Sequence, residues 1–198
     1  VADQAGIAAV GEGLRKFLER SLADSRPVAA ATTRAILARS EDLRSSEPNG
    51  LLQSPAVSVL VYRVEVNRTM RSTWAAVGSH DGRGHLPIDL HVLLTPWGEN
   101  ALDELRILGA VMQSLDATPT FSGPLIDSLG AFEANEGVQV VPEDLAIEDL
   151  MRIFDPLPVD FKLSVGYVVR MVRIDSAAPV SVPDATAVLA GSRPSLGS

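Results

Sequence analysis

Apolar residues recur at helical spacing near the start of the chain. Ile7, Val10, Leu14, Phe17, Leu18 and Leu22 fall on one face, with Glu12, Arg15, Lys16, Glu19 and Arg20 on the other. This predicts an amphipathic helix over 7–22, weakened by Gly11 and Gly13. Between Asp24 and Pro55 the pattern is poor: 34–43 fits a short helix or a strand, and 45–50 is loop by composition. Residues 56–66 (Ala-Val-Ser-Val-Leu-Val-Tyr-Arg-Val-Glu-Val) are rich in β-branched side chains and predict a strand, apolar on both faces in its early part. The polar stretch 67–85 follows as an exposed connection. A second strand is predicted over 86–95, with Ile88, Leu90, Val92 and Leu94 on one face and Asp89, His91, Leu93 and Thr95 on the other.

The next segment, 100–116, predicts a helix capped by Asn100, with Asp103 near its positive end. Its expected buried stripe is Leu102, Leu105, Leu108, Met112 and Leu115, widened by Val111. After a Gly/Pro-containing loop come a short strand at 138–141, a short helix at 145–154 closed by Asp155-Pro156, and a third long strand at 161–174. From 176 to 198 the chain is rich in Ala, Pro, Ser and Gly, with only Asp184 and Arg193 charged. Two short apolar runs stand out there: Pro179-Val180-Ser181-Val182 and Ala187-Val188-Leu189. The expected architecture is α/β or α+β: one domain over 1–175 with a central mixed sheet covered by helices, and an extended C-terminal arm over 176–198.

Composition supports a packed domain. The 198 residues are 46% hydrophobic and 21% charged, and the mean hydropathy is +0.17. A compact fold of this length buries roughly 70% of its unfolded surface, so a core is possible, and this composition excludes wholesale disorder. The formal net charge of −8 argues against nucleic acid as a partner, because phosphate binding needs a basic face. The absence of cysteine excludes disulfides, thiolate metal sites and cysteine nucleophiles. No run reaches the roughly 18 apolar residues of a membrane helix, and Val1-Ala2-Asp3-Gln4 does not open a secretory signal. A soluble protein made in the cytoplasm, with no membrane partner, is expected.

Candidate chemistry is sparse. Gly-x-Ser-x-Gly and phosphate-loop motifs are absent, and Gly11-Glu12-Gly13 and Gly82-Arg83-Gly84 are ordinary turn or packing glycines. His80, Asp81, His85, Asp89 and His91 lie close in sequence, and His85, Asp89 and His91 share strand parity. They could converge on a cation, or Asp89 and His91 could simply pair across a sheet face. Glu143/Asp144 and Glu148/Asp149 fit solvated positions at a helix start better than acid/base roles. No catalytic, cofactor-binding or metal residue is assigned. Arg63, Arg68 and Arg71 make a basic stripe that is either a solvated sheet edge or a docking face for an acidic protein.

Four segments in order carry a family resemblance. They are Val61-Tyr62-Arg63-Val64-Glu65-Val66-Asn67-Arg68-Thr69-Met70-Arg71, then Ile88-Asp89-Leu90-His91-Val92-Leu93-Leu94-Thr95-Pro96-Trp97, Asp103-Glu104-Leu105-Arg106-Ile107-Leu108-Gly109, and Leu163-Ser164-Val165-Gly166-Tyr167-Val168-Val169-Arg170. Together, over roughly 5–175, they resemble the cap or tail-terminator family of phage-tail-like contractile injection systems. The resemblance implies a non-enzymatic cap without cofactor. Such a cap forms a hexameric ring, closes the distal end of the inner tube and contractile sheath, stops polymerisation and helps set particle length. It further implies a particle assembled in the producing bacterium and then released or retained, and an interface role for Arg63, Asn67 and Arg71. Val180, Val182, Val188 and Leu189 would then suit an arm donating a strand to an adjacent cap or sheath subunit. A small metal-dependent hydrolase using His85, Asp89 and His91, and a monomeric protein-binding adaptor, are the alternatives.

Overall fold

The computed structural model describes residues 5–29, 31–44, 51–71, 85–126, 132 and 136–175. The first helix, α1, spans Gly6–Ser25 and ends at Arg26, whose φ of 46° lies in the left-handed region. It buries Val10, Leu14, Leu18 and Leu22 as its spacing requires. The ambiguous 34–43 segment contains a strand, β1 (Arg34–Leu37), followed by a 3-10 turn over Ser40–Leu43. The strand β2 covers Ala56–Val66, the bounds its β-branched run predicts. A single-turn helix, α2 (Arg68–Arg71), opens the connection that composition marks as loop, and β3 runs from His85 to Trp97.

The helix α3 spans Ala101–Ala117, with the Asn100 side chain accepting from the Asp103 backbone N–H at 3.0 Å. A short strand that periodicity does not disclose, β4 (Thr120–Ser122), buries Phe121 against Phe17, ring centroids 4.7 Å apart. Then come β5 (Gly137–Glu143), α4 (Ile147–Phe154) and β6 (Val165–Asp175). The last strand starts four residues later than its apolar pattern suggests. Phe161 and Leu163 lie outside it and are exposed.

The strands form one mixed sheet in the order β1-β2-β3-β6-β5-β4, parallel only between β1 and β2. The fold is a single α+β domain. Alternation along β3 sends Ile88, Leu90, Val92 and Leu94 into the main core under α1 and α3. Leu93 and Trp97 enter a smaller core on the opposite face, with Leu43, Leu60, Leu150 and Phe154. Sequence parity assigns both faces of β3 correctly.

The stripe on α3 is a different matter. Its buried residues are Ile107, Val111 and Leu115, whereas Leu102, Leu105 and Met112 are 56%, 55% and 43% exposed. The helix is apolar on two sides, and periodicity alone cannot say which side meets the sheet. The side that does also carries Ser114, hydrogen-bonded to Ser21 of α1.

Two β-bulges interrupt the centre of the sheet. One inserts Tyr62 into β2 opposite β3, between the pairs Val61–Val92 and Arg63–His91. The other inserts an extra residue into β6, between the pairs with Ile88 and Leu90. At the second, Met171 takes a φ of 69°, uncommon for a bulky side chain. Both bulges lie beside His91 and Asp89.

Candidate functional site

The bulge at Tyr62 turns Tyr62 and Arg63 toward the same face of the sheet, over His91. The Tyr62 hydroxyl donates to Glu143 Oε2 at 2.7 Å, and His91 Nδ1 lies 2.7 Å from Glu143 Oε1. With Nδ1–H donating there, His91 Nε2 is free to accept from Arg63 Nη2 at 3.2 Å. Arg63 also pairs with Glu65 at 3.2 Å. Glu143 therefore ends β5 inside a polar cluster, not at a helix start as its neighbours suggest. Only Glu148 and Asp149 occupy that role, in the first turn of α4. The His91 and Glu143 side chains are 7% and 14% exposed, so the cluster is a buried tie between β2, β3 and β5.

Burial, reinforced by the bond to Glu143, pushes the Tyr62 phenol above its ordinary range; burial chiefly raises Tyr167 as well. The fold thus favours both neutral phenols, while the unfolded chain releases those protons near pH ~10. Stability contributed by the tyrosines is complete below that pH and is lost as pH rises through the folded values. Thermal melts should accordingly fall on the alkaline side, and Tyr62→Phe should flatten the slope. An unchanged slope in that variant would remove Tyr62 from the account.

A second set of contacts surrounds Asp89. Asn67 Nδ2 donates to Asp89 Oδ2 at 3.1 Å, and the backbone N–H of Met171 donates to Asp89 Oδ1 at 3.3 Å. Asp89 therefore braces the β6 bulge. Asn67 Oδ1 accepts from the Met70 N–H at 3.1 Å and caps α2. This assigns Asn67 a fold-stabilising job, which short-range polarity did not reveal. Arg68 and Arg71 project from α2 and are exposed. With Arg170, Glu65 and Asp89 they line a concavity of about 920 Å³. The structure thus brings Arg68 and Arg71 to one open surface, engages Asn67 within the fold, and leaves Arg63 half exposed while it bonds His91 and Glu65.

The structure does not assemble the metal alternative. His85 pairs with Asp175, Asp89 with Asn67, and His91 with Glu143. The anticipated Asp89–His91 pairing is also not formed. An extended strand rises ~3.3 Å per residue, which holds His85 and His91 about 20 Å apart whatever their parity. Among the described residues no three His, Asp or Glu side chains are grouped to hold an ion. His80 and Asp81, and the arm residues Val180, Val182, Val188 and Leu189, lie outside the described residues. No described helix is long and apolar enough to cross a membrane.

The other feature of the surface is the exposed side of α3. Leu102, Leu105 and Met112 face away from the core within a helix whose opposite side is fully buried. Contiguous exposed apolar side chains of this kind mark association surfaces.

No curated protein matches the chain. Among solved structures it is similar to the PVC sheath/tube terminator in its extended state, from a cryo-EM structure of an extracellular contractile injection system. The two are 18% identical with a TM-score of 0.55, and the match covers 100% of this chain but 66% of that one. At this identity the likeness is one of fold. The Pvc16 N-terminal domain family matches residues 9–187, so its pattern continues twelve residues beyond β6. By that match the chain belongs to the Pvc16 N-terminal domain family.

Proposed function

We propose that this chain acts by binding and assembly, as a tail terminator of a contractile injection particle. It closes the distal end of the inner tube and sheath, stops their polymerisation and helps set particle length. The observation that carries the reading is the family match over residues 9–187, supported by the fold shared with a sheath/tube terminator. Six copies form a ring around the tube, made in the producing cell and carried on the particle. Residues 176–198 serve as an arm. A ring requires a heterologous interface, two different patches meeting head to tail, of about 800 Å² per partner. The exposed side of α3 and the Arg68–Arg71 surface are further faces available to subunits of the ring, tube or sheath. The role requires no catalysis.

Solution mass and negative-stain imaging test the ring. From a 21.0 kDa subunit, a closed hexamer has a mass of about 126 kDa. Purified protein is also offered to polymerised tube and sheath, and failure to bind either overturns the terminator reading. Leu105→Asp and Met112→Asp lie at exposed positions, so thermal stability should move by less than about 0.5 kcal/mol. Ring formation or end-binding should nevertheless weaken at least tenfold. Undiminished assembly in both variants would show that the α3 surface is not used.

A further inference from the structure

The sheet carries an unfinished edge. Residues 34–37 of β1 pair with 56–59 of β2, and the backbone N–H of Ala38 donates to the Val59 carbonyl at 2.9 Å. There β1 turns away, and residues 60–66 of β2 have no strand on that side among the described residues. The alternation that points Val59 toward β1 points the backbone of Val61 outward. Past the bulge it does the same for Val64 and Val66, consistent with the Asn67 N–H turning inward to Pro87 at 2.9 Å. Three exposed aliphatic side chains follow this line: Leu37, Val64 and Val66, at 38%, 50% and 38%. Beside the start of the open edge lies an apolar groove of about 650 Å³. Ile7 and Ala8 of α1 and Ile153 and Leu157 flank it, with Leu60 and Tyr62 of β2 between them. Edge strands are ordinarily blunted by charge, bulges or cover; this one carries the Tyr62 bulge and the exposed Arg63–Glu65 pair, and presents Val64 and Val66 between and beside those charges.

We propose that this edge and groove receive residues 180–189 of a second copy of the chain as an added strand. The segment fits in four ways. Val180-Ser181-Val182 has the period-two pattern of a strand, and Ala187-Val188-Leu189 supplies apolar side chains to fill the apolar groove. It carries one charge, Asp184, between positions 180 and 189. Pro179 and Pro183 bracket the first run and donate no ladder hydrogen bond, which suits a strand at the outside of a sheet. Finally, the family match extends through residue 187, so most of this stretch, residues 180–187, falls within it.

The direction of β6 favours a second copy over the chain's own segment. Both β2 and β6 run antiparallel to β3, so Asp175 lies at the same end of the sheet as Val66. At that end α2 stands on the chain leaving β2, anchored to Asp89 through Asn67. A chain's own segment would have to round α2 and reverse direction within about five residues to place Val180 on the edge. A neighbour's segment meets no such turn. Head-to-tail repetition of this contact is the heterologous kind that closes a ring. The inference thus deepens the terminator reading by naming what joins adjacent subunits.

The cysteine-free sequence permits a direct test by disulfide trapping. Val64→Cys is mixed with Val180→Cys, Ser181→Cys or Val182→Cys, each on a separate full-length chain. Three adjacent positions are needed because a one-residue slip reverses which face a side chain occupies. The mixtures are oxidised at a concentration where light scattering shows multimers. The expected result is a disulfide-linked dimer joining position 64 of one chain to 180, 181 or 182 of another. A chain carrying Val64→Cys and the best tail variant together should give a ladder of multimers. Only same-variant dimers, only an internal disulfide, no disulfide, or a chain still monomeric at its solubility limit would each overturn the proposal. The same variants are assayed, reduced, for tube and sheath binding. Binding without the link rejects this contact and leaves the terminator reading standing; the link without binding does the reverse.

Discussion

Gly13→Ala is expected to destabilise the protein by about 3 kcal/mol, lowering the melting temperature by about 6–12 °C. Inside a helix the same substitution ordinarily helps, because alanine loses less backbone freedom than glycine on folding. Here the added Cβ would stand 2.4 Å from the Leu125 carbonyl oxygen and 3.2 Å from the Ile126 Cα. Both obstacles are backbone, so α1 would have to move off the segment that follows β4. That motion would disturb Leu14, Leu18 and Ile126, all nearly or completely buried. The control lies in α3. Gly109 is exposed, with nothing within 4 Å of its Cβ position, and Gly109→Ala should gain about 1 kcal/mol. Thermal denaturation followed by circular dichroism reads both variants. If Gly13→Ala were neutral or stabilising, the close approach of α1 to Leu125 would be wrong.

Glu143→Ala should cost a similar amount, about 2–4 kcal/mol. The carboxylate accepts from the Tyr62 hydroxyl and from His91 Nδ1, each at 2.7 Å. Its removal leaves the buried His91 donor and the half-buried Tyr62 hydroxyl without this acceptor, and an unsatisfied buried group costs about 1–3 kcal/mol. Tyr62→Phe removes only one hydrogen bond and should cost about 1 kcal/mol. In the double variant one of the two orphaned donors no longer exists, so the combined loss should fall short of the two single losses added together. Urea titration of the four proteins measures this coupling. A Glu143→Ala loss under about 1 kcal/mol, or simple additivity, would mean that water satisfies these groups.

The candidate surfaces were legible in unequal measure. Arg68 and Arg71 are exposed as their local polarity suggests, and they share a concavity with Arg170, about a hundred positions away in the chain. Nothing near Arg63 or Asn67 in sequence announces these contacts, since the partners His91 and Asp89 sit on the adjacent strand. Glu143 is hidden for the same reason. Its flanking Asp144 and nearby Glu148 and Asp149 give it the look of a solvated helix start, and only the β5–β6–β3 arrangement carries it to His91.

By itself the sequence determined the elements whose side-chain period is strong: α1, β2, the two faces of β3, and α3 with its Asn100 cap. Periodicity and capping are local, set by backbone geometry within a few residues, and they survive without knowledge of neighbours. Tertiary structure alone decided which apolar side of α3 is buried. It also placed the sheet's bulges at Tyr62 and Met171 and, among the described residues, left β2 beyond Val59 without a strand on its β1 side. Each of these depends on what packs or pairs opposite a residue, and strand register and helix orientation are contests between distant segments. A chain can carry more apolar surface than one subunit buries, and only the completed fold shows which part remains for a partner.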